Sequence, residues 1–199
     1  MDSIPEIIRE LSEPLEPVAT GVDPSLQVLE GIEAVLFDLY GTLLISAAGD
    51  ISLDREESSL RGMETVGKML GEKCSEARLR VWVIRYEEEV ERSRLERAAE
   101  GSAFPEVEIR EIWERLLDEF CAVPIGEKQR EVIAVAYECA VNPCWEMPHA
   151  RETLQALHSR NGTLGILSNA QFYTKPLFRE LVGISLDGEF FDPSLSLFS

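Results

Sequence analysis

The sequence predicts an α/β fold in which a helical domain interrupts a parallel sheet, and three observations support this. Residues 34–37 and 163–167 are short apolar runs bounded by polar residues, which is typical of strands buried on both faces of a parallel sheet. Between residues 54 and 141, apolar residues recur at helical spacing instead. A helix predicted over residues 149–160 directly precedes the second run, and this alternation of helix and strand indicates an α/β core.

The remaining elements follow from caps, breakers and spacing. Ser3-Ile4-Pro5-Glu6 has the form of a capping box and predicts a short helix, and Asp23-Pro24 predicts a second one. The apolar stripes predict a bundle of about four helices, near 58–70, 75–101, 109–120 and 132–139. After the second strand, a further helix is predicted over 175–181 and a β-like stretch over 195–198. The predicted domains are an accessory arm over 1–30, an α/β core over 31–46 and 146–199, and a helical cap over 47–145.

Composition narrows the classes of partner. The 199 residues include 19 Lys and Arg against 37 Asp and Glu, a net charge of −18. This field repels phosphate backbones and anionic lipids, so neither nucleic acid nor a membrane is expected as a partner. The net charge says little about a small-molecule substrate, because a local pocket can oppose the global field. No apolar run reaches the roughly 18 residues of a membrane span, the acidic N-terminus lacks the features of a secretory signal, and the four cysteines are irregularly spaced. A reduced, cytoplasmic protein is expected.

Polar residues at the carboxyl ends of the two predicted strands are the candidate site. Asp38 follows the first strand, where a carboxylate is costly unless it has a partner. Gly41 permits a sharp turn, and Thr42 can hydrogen-bond the carboxylate and orient it for nucleophilic attack. Ser168 and Asn169 follow the second strand and can bind an anionic oxygen or a halide. The structural alternatives are a carboxylate that only caps a turn and an ordinary turn at the end of a strand.

These segments carry a family resemblance. AVLFDLYGTLL (34–44) resembles the first motif of the haloacid dehalogenase superfamily of hydrolases, and LGILSNA (164–170) resembles its second motif. The resemblance implies a doubly wound α/β core with a mobile helical cap between the motifs. It also implies that Asp38 is the nucleophile and that Ser168 hydrogen-bonds the transferring group. With the residues argued above, the candidate set comprises Asp38, Tyr40, Thr42, Ser168 and Asn169 as catalytic residues, and Gly41, Ser168 and Asn169 as substrate-binding residues.

Two chemistries remain open because of Tyr40. In the phosphatase branch, the resemblance implies Mg²⁺ held by the carboxylate of Asp38 and the main-chain carbonyl of Tyr40. That branch usually has an acidic general acid and base where this chain has Tyr40, and a phenol of ordinary pKa near ~10 protonates an alkoxide poorly. A tyrosine there resembles the dehalogenase branch, in which halide leaves unprotonated and no cofactor is needed. The substrate is therefore expected to be a phosphoester or a 2-haloacid.

The third and fourth motifs of the family, a lysine and an acidic pair, are not found by residue 199, and the core is expected to be incomplete at its C-terminus. Lys175-Pro176 imitates the lysine motif, but it lies where a helix is predicted to begin. The strand of the fourth motif would pair with residues 34–37, so an open sheet edge and homo-oligomers formed through it are expected. The alternative function is an inactive domain with a binding role or with none.

Overall fold

The computed structural model describes residues 3–47, 55–101, 106–160 and 162–198. The chain divides into two compact units. The helical unit comprises the described residues of Met1–Leu11 and Asp50–Pro143, and the sheet unit comprises those of Ser12–Gly49 and Cys144–Ser199.

The helical unit is built around one central helix. Its elements are α1 (Ile4–Leu11), α2 (Arg55–Met69), α3 (Glu76–Ala99), α4 (Ile109–Phe120) and α5 (Glu127–Val141). Helices α1, α2 and α4 pack against α5, and α3 packs against α2 and α4. The apolar stripes that predict these helices supply the interior, in which Ile112, Leu116 and Ile133 are completely buried. None of the described helices combines the length and apolarity that spanning a membrane requires.

The N-terminal region differs from the sequence-based expectation in two ways. Helix α1 begins at the capping box, where the Ser3 N–H donates to the Glu6 carboxylate at 2.6 Å. Ile7 and Ile8 of this helix are buried, and α1 groups with the helical unit, whereas the sequence sets residues 1–30 apart as an arm. The helix predicted at Asp23-Pro24 is wrong, since residues 12–30 contain no helix and nearly all are exposed. Such a short helix is unstable without an apolar surface to bury it.

The sheet unit contains a parallel sheet and a separate antiparallel pair. Its elements are β1 (Ala34–Phe37), β2 (Leu44–Ser46), β3 (Cys144–Glu146), α6 (Ala150–Ser159), β4 (Thr163–Ser168), α7 (Thr174–Val182) and β5 (Leu197–Phe198). The parallel sheet has the order β1-β4-β5, with Ala34 opposite Thr163 and Ser168 opposite Phe198. Strands β2 and β3 form the antiparallel pair. The predicted α/β fold with a parallel sheet is confirmed.

The prediction that β1 is buried on both faces is wrong. Ala34 and Leu36 are exposed, Leu36 to 53%, and Val35 and Phe37 are only half-buried. The reason is position in the sheet, because within the described ranges β1 pairs with β4 on one side and with no strand on the other. Strand β4 lies between two neighbours and is correspondingly more buried.

Candidate active site

The carboxyl ends of β1, β4 and β5 meet at one cavity of about 720 Å³. Parallel strands bring their carboxyl ends to the same edge of a sheet, which is where ligands bind in open α/β proteins. The cavity is lined by Asp38, Tyr40, Leu167, Ser168, Asn169, Leu197 and Phe198. The structure therefore brings together four of the six residues that the sequence singles out, and it adds an apolar wall.

Asp38 is the carboxylate of this cavity. It follows the last residue of β1 and is exposed. Its side chain has no ion pair or hydrogen bond with any described residue. The expectation that this carboxylate needs a partner fails, because water can solvate a group at the open end of an edge strand. A carboxylate without a competing protein partner is free to approach a ligand.

The turn after Asp38 is held by backbone hydrogen bonds. The carbonyl of Leu39 accepts from the N–H groups of Leu43 at 2.9 Å and Leu44 at 2.8 Å, and the Gly41 N–H donates to the carbonyl of Leu44 at 2.7 Å. Gly41 has φ of +85°, a conformation that residues with a side chain rarely adopt. The three leucines are buried, so they anchor the turn that carries Tyr40.

Gly41 and Thr42 themselves lie outside the lining of the cavity. Both residues are exposed. The Thr42 N–H donates to the Leu39 carbonyl at 3.2 Å, but its hydroxyl makes no hydrogen bond to Asp38 or to any other described residue. Their observed contribution is thus to the turn.

Ser168 and Asn169 lie at the end of the central strand. Ser168 is only 6% exposed, and its hydroxyl has no hydrogen-bond partner among the described residues. Asn169 is exposed and follows directly after the strand. A hydroxyl and an amide next to a carboxylate can donate hydrogen bonds to an oxygen of a bound ligand.

The apolar wall was not predicted. It consists of Leu167, Leu197 and Phe198, of which Leu167 is 55% and Leu197 is 66% exposed. Leu167 and Leu197 lie opposite each other in the register of β4 and β5, so they share one face of the sheet. The predicted β-like stretch over 195–198 indicates a strand, but only the pairing with β4 reveals that it borders the site.

Residues at the start of α7 contact two members of the lining. The hydroxyl of Tyr40 lies 3.0 Å from that of Thr174, a contact that the sequence does not suggest. Lys175 lies in the first turn of α7, with its ammonium group 5.1 Å from the centroid of the Phe198 ring and donating to Asp187 at 2.8 Å. Lys175 itself is not among the residues that line the cavity.

A second cavity, of about 520 Å³, lies in the helical unit between α4 and α5. Five of its lining residues are glutamates and two are arginines. Arg110 is paired with Glu108 at 3.1 Å, and Arg130 is paired with Glu114. These ion pairs are typical of a solvated helix surface, so the cavity at the strand ends is the better candidate site.

An α/β fold with polar side chains around a cavity at the carboxyl ends of parallel strands defines the class of α/β ligand-binding proteins and enzymes. The chain belongs to the haloacid dehalogenase-like hydrolases, whose family model matches residues 32–196. It is also similar to a solved structure described as a predicted phosphoglycolate phosphatase from Haemophilus somnus 129pt, with 15% identity and a TM-score of 0.31. That similarity covers 84% of this chain and 62% of the other, so the chain spans less than two thirds of its length. No curated protein matches.

Mg²⁺ is the cofactor that phosphatases of this family generally use, and the cavity can be tested for its fit. Within the described ranges, no group of three or more His, Cys, Asp and Glu side chains is arranged to hold a metal ion. The lining of the cavity does include Asp38 and Tyr40, whose carboxylate and main-chain carbonyl are hard oxygen donors. Mg²⁺ is commonly held by one or two carboxylates together with water and a substrate phosphate. The donor set therefore fits Mg²⁺ bound jointly with a phosphate.

Proposed function

We propose that the chain is a hydrolase of a small molecule that reacts through an aspartyl intermediate formed on Asp38. The observation that carries the proposal is the cavity in which the carboxylate of Asp38, which has no partner among the described residues, meets Ser168 and Asn169. A carboxylate acts as a nucleophile when it is held close to an electrophilic centre and other groups orient that centre. In this proposal, Ser168 and Asn169 donate hydrogen bonds to the transferring group.

For a phosphoester, an Asp38 oxygen would form a bond to phosphorus while the bond to the ester oxygen breaks, and the ester oxygen would take a proton from water and leave as the alcohol. Water would then hydrolyse the aspartyl phosphate, release phosphate and restore the carboxylate. Among the described residues, no lysine, arginine or histidine lines the cavity, so none of the lining side chains in the described ranges opposes the negative charge of the phosphate. When bound by Asp38 and the main-chain carbonyl of Tyr40, Mg²⁺ would supply that positive charge.

For a 2-haloacid, an Asp38 oxygen would form a bond to the halogen-bearing carbon while halide leaves. Water would then add to the carboxyl carbon of Asp38, which releases the 2-hydroxy acid and restores the carboxylate. This branch is supported by Tyr40, which occupies the position of the acid that an alkoxide leaving group needs. Halide is a very weak base and leaves without a proton. The apolar wall would contact the carbon chain of such a substrate.

Metal removal separates the two chemistries. If the substrate is a phosphoester, treatment with a chelator is expected to lower kcat by about 10²-fold or more, and added Mg²⁺ is expected to restore it. If the substrate is a 2-haloacid, turnover is expected to be the same in chelator and in Mg²⁺. The measurement is initial rate at saturating p-nitrophenyl phosphate and at saturating 2-chloropropionate, each with chelator and with Mg²⁺.

The alternative of a domain that binds without catalysis gives a third result. It predicts no turnover of either substrate under any metal condition. It also predicts that inorganic phosphate or 2-chloropropionate still binds, which isothermal titration calorimetry measures directly. Turnover of either substrate that depends on Asp38 would contradict this alternative.

We also propose that the edge of β1 that no described strand covers supports homo-oligomers. An unpaired edge strand offers backbone N–H and C=O groups to a second copy, and a charged side chain on the edge opposes such pairing. Leu36→Lys is therefore expected to shift the chain toward monomer in sedimentation velocity over a range of concentrations. Because Leu36 is already 53% exposed, the substitution should cost little stability.

A matched control comes from the helical unit. Leu95 of α3 is 61% exposed, so Leu95→Lys makes the same chemical change on a helix surface with no free strand edge. It is expected to leave the sedimentation profile unchanged. Equal shifts in both variants would indicate a general charge effect, and a wild-type chain that is monomeric at all concentrations would rule out the oligomer.

A further inference from the structure

The hydrogen bond between Tyr40 and Thr174 joins the turn after β1 to the start of α7 across 134 positions of sequence. Tyr40 is half-buried and lines the cavity that contains Asp38. Thr174 has no exposed surface. The two hydroxyl oxygens lie 3.0 Å apart, so the phenol is tied to a group that solvent does not reach.

The position of the Thr174 hydroxyl is itself fixed by the backbone. The N–H of Gln171 donates to Thr174 Oγ1 at 3.1 Å, and the N–H of Thr174 donates to the carbonyl of Gln171 at 2.9 Å. These two reciprocal bonds hold the threonine in one orientation at the first position of α7. Oγ1 accepts from Gln171 and still has a proton and a lone pair with which to bond Tyr40.

We propose that Thr174 is a positioning residue for the hydrolysis assigned above to Asp38, and the proposal rests on that proposed function. Tyr40 lines the cavity beside the nucleophile, so the orientation of its ring sets the space into which the leaving group departs. A bond to a buried and fixed hydroxyl restricts that orientation. Its loss lets the ring sample other positions, and misplacement of a wall by about 1 Å can lower a rate substantially.

The first test is a set of substitutions at the two positions. Thr174→Val keeps the shape of the side chain and removes the hydroxyl, and it is expected to lower kcat by about tenfold with a smaller change in KM. Thr174→Ser keeps the hydroxyl and is expected to restore most of the rate. The matched control is Thr153→Val on the exposed face of α6, which is expected to leave kcat and KM unchanged.

A double-mutant cycle shows whether Thr174 acts through Tyr40. If it does, Tyr40→Phe removes the bond already, and adding Thr174→Val to it causes little further loss of kcat. If Thr174→Val lowers kcat by the same factor in both backgrounds, or if Thr174→Ser is as slow as Thr174→Val, the positioning role is wrong. Circular dichroism of each variant establishes that it is folded.

A second readout does not depend on turnover. In urea unfolding, Tyr40→Phe and Thr174→Val are expected to be non-additive, with a coupling of about fivefold in the unfolding equilibrium constant. Additive effects would mean that the bond does not form. The failures are distinguishable, because a wild-type rate retained by Asp38→Asn overturns the proposed function, whereas unchanged kcat in Thr174→Val with an inactive Asp38→Asn overturns the positioning role alone.

Discussion

Asp38→Asn is expected to lower kcat by about 10³-fold or more for whichever substrate the chain hydrolyses. An amide oxygen is a far weaker nucleophile than a carboxylate oxygen, and enzymes that lose their nucleophile lose most of their rate. Asparagine has nearly the same shape and hydrogen-bonding reach as aspartate. Asp38 is exposed and has no partner among the described residues, so its substitution should leave stability within about 0.5 kcal/mol of the wild type.

The matched control is Asp23→Asn, which makes the same chemical change at an exposed position in residues 12–30. It is expected to keep the wild-type kcat and KM. Steady-state kinetics of the wild type and both variants decide the matter. A wild-type rate in Asp38→Asn would show that the nucleophile has been misassigned, for phosphoester and haloacid chemistry alike.

Isotope labelling then identifies the intermediate. A single turnover in ¹⁸O-labelled water should place the label in the released phosphate if water attacks the phosphorus of an aspartyl phosphate. It should place the label in the Asp38 carboxylate if water attacks the carboxyl carbon of an aspartyl ester. Mass spectrometry of the peptide that contains Asp38 distinguishes the two, and a peptide from Asp38→Asn should remain unlabelled.

The strands of the parallel sheet and most of the helices could be predicted because local patterns determine them, whereas the antiparallel pair of β2 and β3 was not predicted. Ala34–Phe37 is a strand with the predicted bounds, and Thr163–Ser168 extends the predicted run by one residue. Both are short apolar runs with polar residues at their carboxyl ends, a pattern that needs no tertiary information to detect. The same is true of α4, whose apolar positions at 112, 113, 116 and 117 are all buried.

Properties that depend on which elements become neighbours could not be predicted in the same way. The apolar composition of β1 suggests burial, but exposure is decided by the number of strands beside it, and the described residues supply one. The capping box at Ser3 locates the start of α1 and does not reveal that α1 packs against α5. Apolarity shows that a surface can be buried, and only the fold shows what covers it.

The residues of the candidate site also differ in whether a local sequence pattern marks them. Asp38 and Ser168 could be found because each follows an apolar run directly, so a local signal marks them. Thr174 carries only the signal of a polar residue near a helix start, which most often means a cap. Its bond to Tyr40 joins residues far apart in sequence, and no spacing rule connects them.

The largest expected loss of stability comes from the core of the helical unit, at Trp113. This residue of α4 has no exposed surface, and its ring lies 5.7 Å from that of Tyr86 and 5.1 Å from that of Tyr137. Trp113→Ala leaves a large cavity among these rings, and its expected cost is about 3–5 kcal/mol in the free energy of unfolding. Urea denaturation followed by circular dichroism at 222 nm measures it, because the signal reports the helices.

Trp113→Phe is the informative companion, because the indole nitrogen of Trp113 is buried without a hydrogen-bond partner among the described residues. An unsatisfied buried N–H costs about 1–3 kcal/mol, so phenylalanine relieves that cost while it keeps an aromatic ring against the two tyrosines. We expect Trp113→Phe to lower the free energy of unfolding by less than half as much as Trp113→Ala does. The control is Val123→Ala at a 70% exposed position, which is expected to change the free energy of unfolding by less than about 0.5 kcal/mol. Equal losses in the two Trp113 variants would mean that the indole N–H contributes a hydrogen bond in solution, and the core would then depend on that bond as well as on the volume of the ring.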